Sequence, residues 1–86
     1  MHKEKTYITY NNCRYQISTV YLSYFELYET MIFPVINGIV SGNEVFTFRT
    51  FNKKDSIKKH IDICQHPEKY LSKEKIQEYK IKGELQ

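Results

Sequence analysis

The stretch YETMIFPVINGIVSGNEVFTFRT, residues 28–50, constrains the fold more than any other part of the chain. Two arms rich in β-branched and aromatic residues flank Asn37-Gly38. An Asn-Gly pair favours the type I′ turn, whose twist matches the strands on either side. Residues 27–36 and 39–51 are therefore predicted as a β-hairpin. Pro34 cannot donate to a ladder, so its strand is expected to be an edge or irregular there, with a bulge at Ser41-Gly42-Asn43 opposite it. Past the bulge, alternation sets Phe46 and Phe48 on one side and Val45, Thr47 and Arg49 on the other.

Upstream, residues 6–10 and 14–22 read as two strands around Asn11-Asn12, a pair that tolerates the positive φ of a tight turn. Alternation in the second of these strands is imperfect. Tyr15 and Ile17 share one face and Val20 and Leu22 the other, which implies a bulge near Ser18-Thr19 or cover on both faces. Downstream the period changes to 3.6. Asn52 is placed to cap a helix with Asp55 in its first turn. Ile57, His60, Ile61, Ile63 and Cys64 fall on the inward arc, with Lys58, Lys59, Asp62 and Gln65 opposite. The pairs Lys58/Asp62 and Asp55/Lys59 are spaced to support the solvated face. His66-Pro67 ends this helix. A second is expected from Ser72, with Leu71 and Ile76 as a hydrophobic staple, Glu74 in its first turn, Tyr79 facing inward, Lys80 and Lys82 in its last turn and Gly83 as its stop. Strands first and helices after make an α+β domain: an antiparallel sheet of about four strands, built as two hairpins, then two helices, the first packed on the sheet.

A chain of 86 residues is expected to be a single domain over its whole length, 1–86. It buries only about 60–65% of the surface that its unfolded form would expose. Eight Tyr and five Phe are more rings than so small a sheet can hide, which leaves some at the surface. No apolar run approaches the roughly 18 residues of a membrane span, and the opening MHKEKTYITY lacks a signal-peptide core. A cytoplasmic protein with Cys13 and Cys64 reduced is expected. Residues 1–51 carry four Lys/Arg and four Asp/Glu, and residues 52–86 carry nine and six, so the net +3 comes entirely from the second part. That excess falls short of a dedicated nucleic-acid arm and argues against an acidic mimic of DNA.

Phosphate-cradling glycine loops, nucleophile elbows and HExxH spacings are missing, so no enzymatic activity and no cofactor is expected. Two constellations have chemical content. His60, Cys64 and His66, with Cys13 distant, are zinc-type ligands. The simpler alternative sets Cys64 as a packed thiol, His60 at the core edge and His66 at the helix C-terminus, with His60→Ala lowering stability by about 1 kcal/mol. The second constellation is Phe46, Phe48, Arg49 and Phe51 followed by Lys53 and Lys54, where aromatics beside cations are suited to single-stranded nucleic acid. The counter-argument is that the face bearing Phe46 and Phe48 is the one a helix would cover.

The ordered phrases ISTVYL (17–22), YETMIF (28–33) and RTFNKKDSIKKH (49–60) resemble a family of small uncharacterised phage and prophage proteins. That family has an S-T-V-x-L strand, an E-T-M-[VI]-F strand and a helix ending in a His. Ser18, Thr19, Val20, Leu22, Glu29, Thr30, Met31, Phe33 and His60 match it, over residues 15–62, about half the chain. The loop between the first two phrases, longer and Gly-containing in the family, is reduced here to Ser23-Tyr24-Phe25-Glu26, and Lys58-Lys59 replace the usual small residues before the His. The resemblance implies a phage-borne accessory protein in the host cytoplasm. Such a protein acts by binding a host protein or protein–nucleic-acid complex, as an inhibitor of a defence system such as a CRISPR effector does. The expected contact residues are Tyr24, Tyr28, Val35, Ile36, Ile39, Val40, Arg49, Lys53, Lys54, Lys58 and Lys59. A homodimer through the hairpin or a strand edge is a further use of the same residues. The second reading is a nucleic-acid-binding regulator using Arg49, Lys53, Lys54, Lys58 and Lys59, and the third is a zinc protein.

Overall fold

Two tight turns with left-handed residues organise the sheet. A computed structural model describes residues 3–73 and 75–77. Strand β1 (Lys3–Tyr10) turns through Asn11 and Asn12, at φ 51° and 63°, into β2 (Cys13–Leu22). Strand β3 (Leu27–Ile36) turns through Asn37 and Gly38, at φ 52° and 78°, into the two-residue β4 (Ile39–Val40). Positive φ at both central residues is the type I′ signature. β5 (Phe46–Thr50) then returns alongside β3. The result is a five-stranded antiparallel sheet in the order β1-β2-β3-β4, with β5 on the same edge of β3 as β4. The expected α+β architecture is what forms.

The second hairpin arm, expected over residues 39–51 with a bulge at Ser41-Gly42-Asn43, is interrupted there more widely than by a bulge and forms two strands. Val35 pairs with Val40, so an unbroken ladder would set Ile32 opposite residue 43. Ile32 instead faces Phe46, three residues further on. The intervening 41–45 loop is anchored at both ends, where Ser41 N–H donates to Pro34 O and Val45 N–H to Ile32 O, each at 2.8 Å. An odd number of extra residues inverts which side chains face which way. It turns Phe46 and Phe48 inward and Arg49 outward. The missing N–H of Pro34 falls at this interruption, where irregularity is expected.

β2 needs no bulge: its register with β3 runs unbroken from Arg14↔Val35 to Leu22↔Leu27. One face of the sheet is covered by helix α1 (Lys53–Gln65) and carries Thr6, Ile17, Thr19, Thr30, Ile32, Phe46 and Phe48. Asn52 caps α1, its side-chain oxygen accepting from Asp55 N–H at 2.8 Å. His66 ends the helix, its N–H donating to Asp62 O. Ile17, Ile32, Ile63 and Leu71 are buried at the centre of the core, with Phe46, Phe48, Tyr70 and Ile76 among those packed around them.

Two expectations for α1 need correction. Ile61 is 47% exposed, whereas Ser56, unmarked by apolar patterning, is fully buried and bonds Lys53 O through its hydroxyl at 2.7 Å. Asp62 does not sit on a purely solvated face: it accepts from Tyr70 Oη and from Lys69 Nζ at 3.1 Å, tying α1 to the single turn α2 (Glu68–Leu71). That turn, directly after Pro67, has no counterpart in the sequence pattern. Ser72 does act as the expected cap, accepting from Lys75 N–H through Oγ and from Ile76 N–H through its carbonyl. The roles assigned to Glu74, Tyr79, Lys80, Lys82 and Gly83 lie outside the described residues.

Candidate functional site

The polar centre of the core is a chain of side chains brought together from four elements. His60 is 5% exposed, with both ring nitrogens engaged: Nδ1 lies 2.8 Å from Thr19 Oγ1 and Nε2 lies 2.8 Å from Thr6 Oγ1. Thr19 Oγ1 is also 2.8 Å from Thr30 Oγ1, and both threonines are 1% exposed. Hydroxyls donate and accept, so the chain can satisfy a neutral imidazole whichever nitrogen carries its proton. Thr19, Thr30 and His60 are also positions that carry the family resemblance. Their partners stand 54, 41 and 11 residues apart in sequence, so no local pattern announces the cluster.

Chemically this is a staple between helix and sheet. The zinc constellation does not assemble. Among the described residues no three His, Cys, Asp or Glu side chains come close enough to hold a metal ion. His60 has both nitrogens in hydrogen bonds, and His66 Nδ1 lies 3.6 Å from Glu68 Oε1. Cys13 opens β2 opposite Tyr10, whereas Cys64 lies beside Glu4 and Thr6, towards the other end of β1. Burial, reinforced by the Glu4 carboxylate, pushes the Cys64 thiol up and away from the thiolate a metal requires.

The predicted contact residues do not form one patch. Ile36 and Ile39, 62% and 72% exposed, project at the hairpin tip on one side, with Val35 and Val40 paired on the other. An open cleft of about 420 Å³ runs from the tip along Arg14, Tyr15, Pro34 and Val35. Tyr24, 90% exposed, sits in the β2–β3 turn against the less open Phe25, and Tyr28 packs on Tyr21. These lie at the far end of β3 from the tip, roughly 30 Å away at strand rise. The basic set is split as well. Arg49 points away from α1 and pairs with Glu29 at 3.3 Å, while Lys59 Nζ lies over the rings of Phe48 and Tyr70 at 4.9 and 5.4 Å. Lys53, Lys54 and Lys58 are the exposed cations on α1, beside Asp55. Phe46 and Phe48, stacked at 5.6 Å, are packed against the core beneath the helix, whereas Phe51, the third ring considered for nucleic acid, is 79% exposed.

The opposite face of the sheet holds residues that the sequence reading leaves out. Its rows follow from the strand pairings: Thr9, Arg14, Val35 and Val40; Tyr7, Gln16 and Phe33; Lys5, Ser18, Met31 and Thr47; Lys3, Val20, Glu29 and Arg49. No element of the described residues covers it. The signal is present in β1, where KEKTYITY places Lys3, Lys5, Tyr7 and Thr9 together on alternate positions. No family model matches the chain, and no curated protein or solved structure matches it.

Proposed function

We propose that this chain is a non-enzymatic binding protein that acts by occupying a surface of a host macromolecule in the host cytoplasm, in the manner of a phage-encoded inhibitor of a defence complex such as a CRISPR effector. The observation that carries the reading is the hairpin tip. Ile36 and Ile39 are bare on one side of a ribbon whose other side is Val35 and Val40, and the tight Asn37-Gly38 turn holds them rigid. Contiguous exposed apolar side chains mark contact sites in soluble proteins. A two-residue turn, unlike a long loop, presents them with little conformational entropy to lose on binding. The phage setting rests on the resemblance of the three sequence phrases.

The test is a stoichiometric cleavage assay. Purified chain is titrated against a panel of CRISPR effectors loaded with guide, and target cleavage is followed. Expected is inhibition that saturates near equimolar protein and is lost in an Ile36→Asp/Ile39→Asp variant of unchanged melting temperature. Inactivation of many equivalents of effector by one of protein would instead indicate an enzyme. Full inhibition by the double variant would remove the tip from the mechanism.

A further inference from the structure

The face of the sheet turned away from α1 has a composition that the hairpin tip does not explain. Crossing the strands from β1 to β3, one row reads Tyr7, Gln16, Phe33. At a strand spacing of about 4.8 Å the backbone positions of Tyr7 and Phe33, two strands apart, are separated by about 10 Å. Gln16 between them is only 6% exposed and donates through Nε2 to Tyr7 Oη at 2.8 Å, which fixes the position of the phenol. The Arg14 guanidinium lies 5.2 Å from the centre of the Tyr7 ring, giving a planar cation stacked with an aromatic at the rim of the face. Tyr7 is nevertheless 47% exposed.

Charge on this face is one-sided. Lys3, Lys5, Arg14 and Arg49 belong to its paired rows, against Glu29, whose carboxylate is already engaged by Arg49 at 3.3 Å. The helix side differs: there Asp55 and Asp62 alternate with the lysines, and Lys59 is drawn over Phe48 and Tyr70. The cations that matter are therefore those of the neutral N-terminal half, gathered by strand parity onto one side. A surface that carries the exposed ring of Tyr7 and the half-buried ring of Phe33, bordered by cations and with no charged group at its centre, suits a flexible polyanion with stackable bases.

We propose that this face, which no element of the described residues covers, takes single-stranded nucleic acid, with bases stacking on Tyr7 and Phe33 and phosphates running past Lys3, Lys5 and Arg14. A duplex keeps its bases stacked on one another and offers none to these rings. Discrimination between bases is expected to be slight, because Gln16 and Ser18 are too buried to read base edges and every base has a face to stack.

The test is fluorescence anisotropy with a labelled 12-nucleotide oligothymidine or oligouridine, repeated across a salt series. Expected is binding that weakens log-linearly with salt, with the slope shallower by about 0.7 for each phosphate that Lys5→Ala or Arg14→Ala leaves unneutralised. Phe33→Leu keeps an apolar side chain and should weaken binding roughly ten-fold with the slope unchanged, as expected for loss of one stacked base. If Phe33→Leu does not fold, Tyr7→Leu at the exposed edge carries the same test. Lys54→Ala on α1 should leave the slope as it is. The proposal is overturned if no binding occurs at low salt, if a duplex of the same length binds equally well, or if Lys54→Ala changes the slope as much as Lys5→Ala. Retention of a protein partner through this face, with the oligonucleotide failing to compete, overturns it as well.

Discussion

The two faces of this sheet are built from neighbouring residues of the same strands, yet they do different work. Ile32 on the α1 side is fully buried, while Met31 and Phe33 on either side of it point to the uncovered face and are only half-buried. In β2 the contrast is weaker: Ile17 is fully buried, but Gln16 and Ser18 on the other face are also only 6% and 5% exposed. The remaining polar groups divide by face. Beneath α1 the hydroxyls of Thr6, Thr19 and Thr30 are engaged with one another and with His60, whereas the side chains of Lys3, Lys5 and Arg14 project outward. Cohesion is concentrated on one face, and the other is free to be selected for contact.

That contrast can be broken most directly by paired truncations. Ile32→Ala should cost about 3–4 kcal/mol, the range for a buried aliphatic that leaves a cavity. Phe33→Ala, its neighbour on the other face, should cost less than half as much in the same urea titration despite the larger side chain removed. Equal losses would mean that the open face is in fact packed. His60→Ala comes next. Thr6 and Thr19 each lose one hydrogen-bond partner, Thr19 keeping Thr30, and a buried ring is removed, which raises the expected cost from about 1 to about 2 kcal/mol. Thr19→Val, nearly isosteric, isolates the polar part and should cost about 1–2 kcal/mol. A neutral Thr19→Val would show that the His60–Thr30 link is dispensable.

Smaller effects sharpen the contrast at the helix junction. The hydrogen bond from Tyr70, with Lys69 beside it, holds the Asp62 carboxyl below its ordinary value. A depressed carboxylate stabilises the fold above its unfolded pKa, and that contribution disappears as pH falls through the folded value. Asp62→Asn should therefore flatten the acid limb of a stability–pH curve measured by urea midpoint below about pH 4. Burial, and then the bond to Asp62, pushes the Tyr70 phenol up to about 12. Its contribution is complete below the ordinary value near 10 and is lost as pH rises through the folded one, so Tyr70→Phe should remove an alkaline limb. Smallest of all, Arg49→Ala on the open face should change stability by less than about 1 kcal/mol, as surface ion pairs generally do.

Much of the covered side is legible in the sequence because its signals are local. Asn37-Gly38 and Asn11-Asn12 specify their turns, Asn52 its cap, and His66-Pro67 the end of α1. Alternation alone brings Phe46 and Phe48 to one side. What escapes is non-local. Nothing near Thr19 or Thr30 tells that each will meet a hydroxyl or an imidazole, and Ser56 is buried by helix geometry rather than by its own polarity. Choosing contact residues by type, and not by strand parity, groups Arg49 with lysines on the opposite side of the sheet and passes over Tyr7 and Phe33.

The loop at 41–45 has one more consequence. Because it absorbs the mismatch between β4 and β5, a slip or a change of length at the projecting ribbon is not transmitted down the ladder to the rings under α1. The ribbon is thus an interchangeable head on a constant body. Variants of this chain could swap its apolar tip for another sequence, and so meet a different target, without renegotiating the interior.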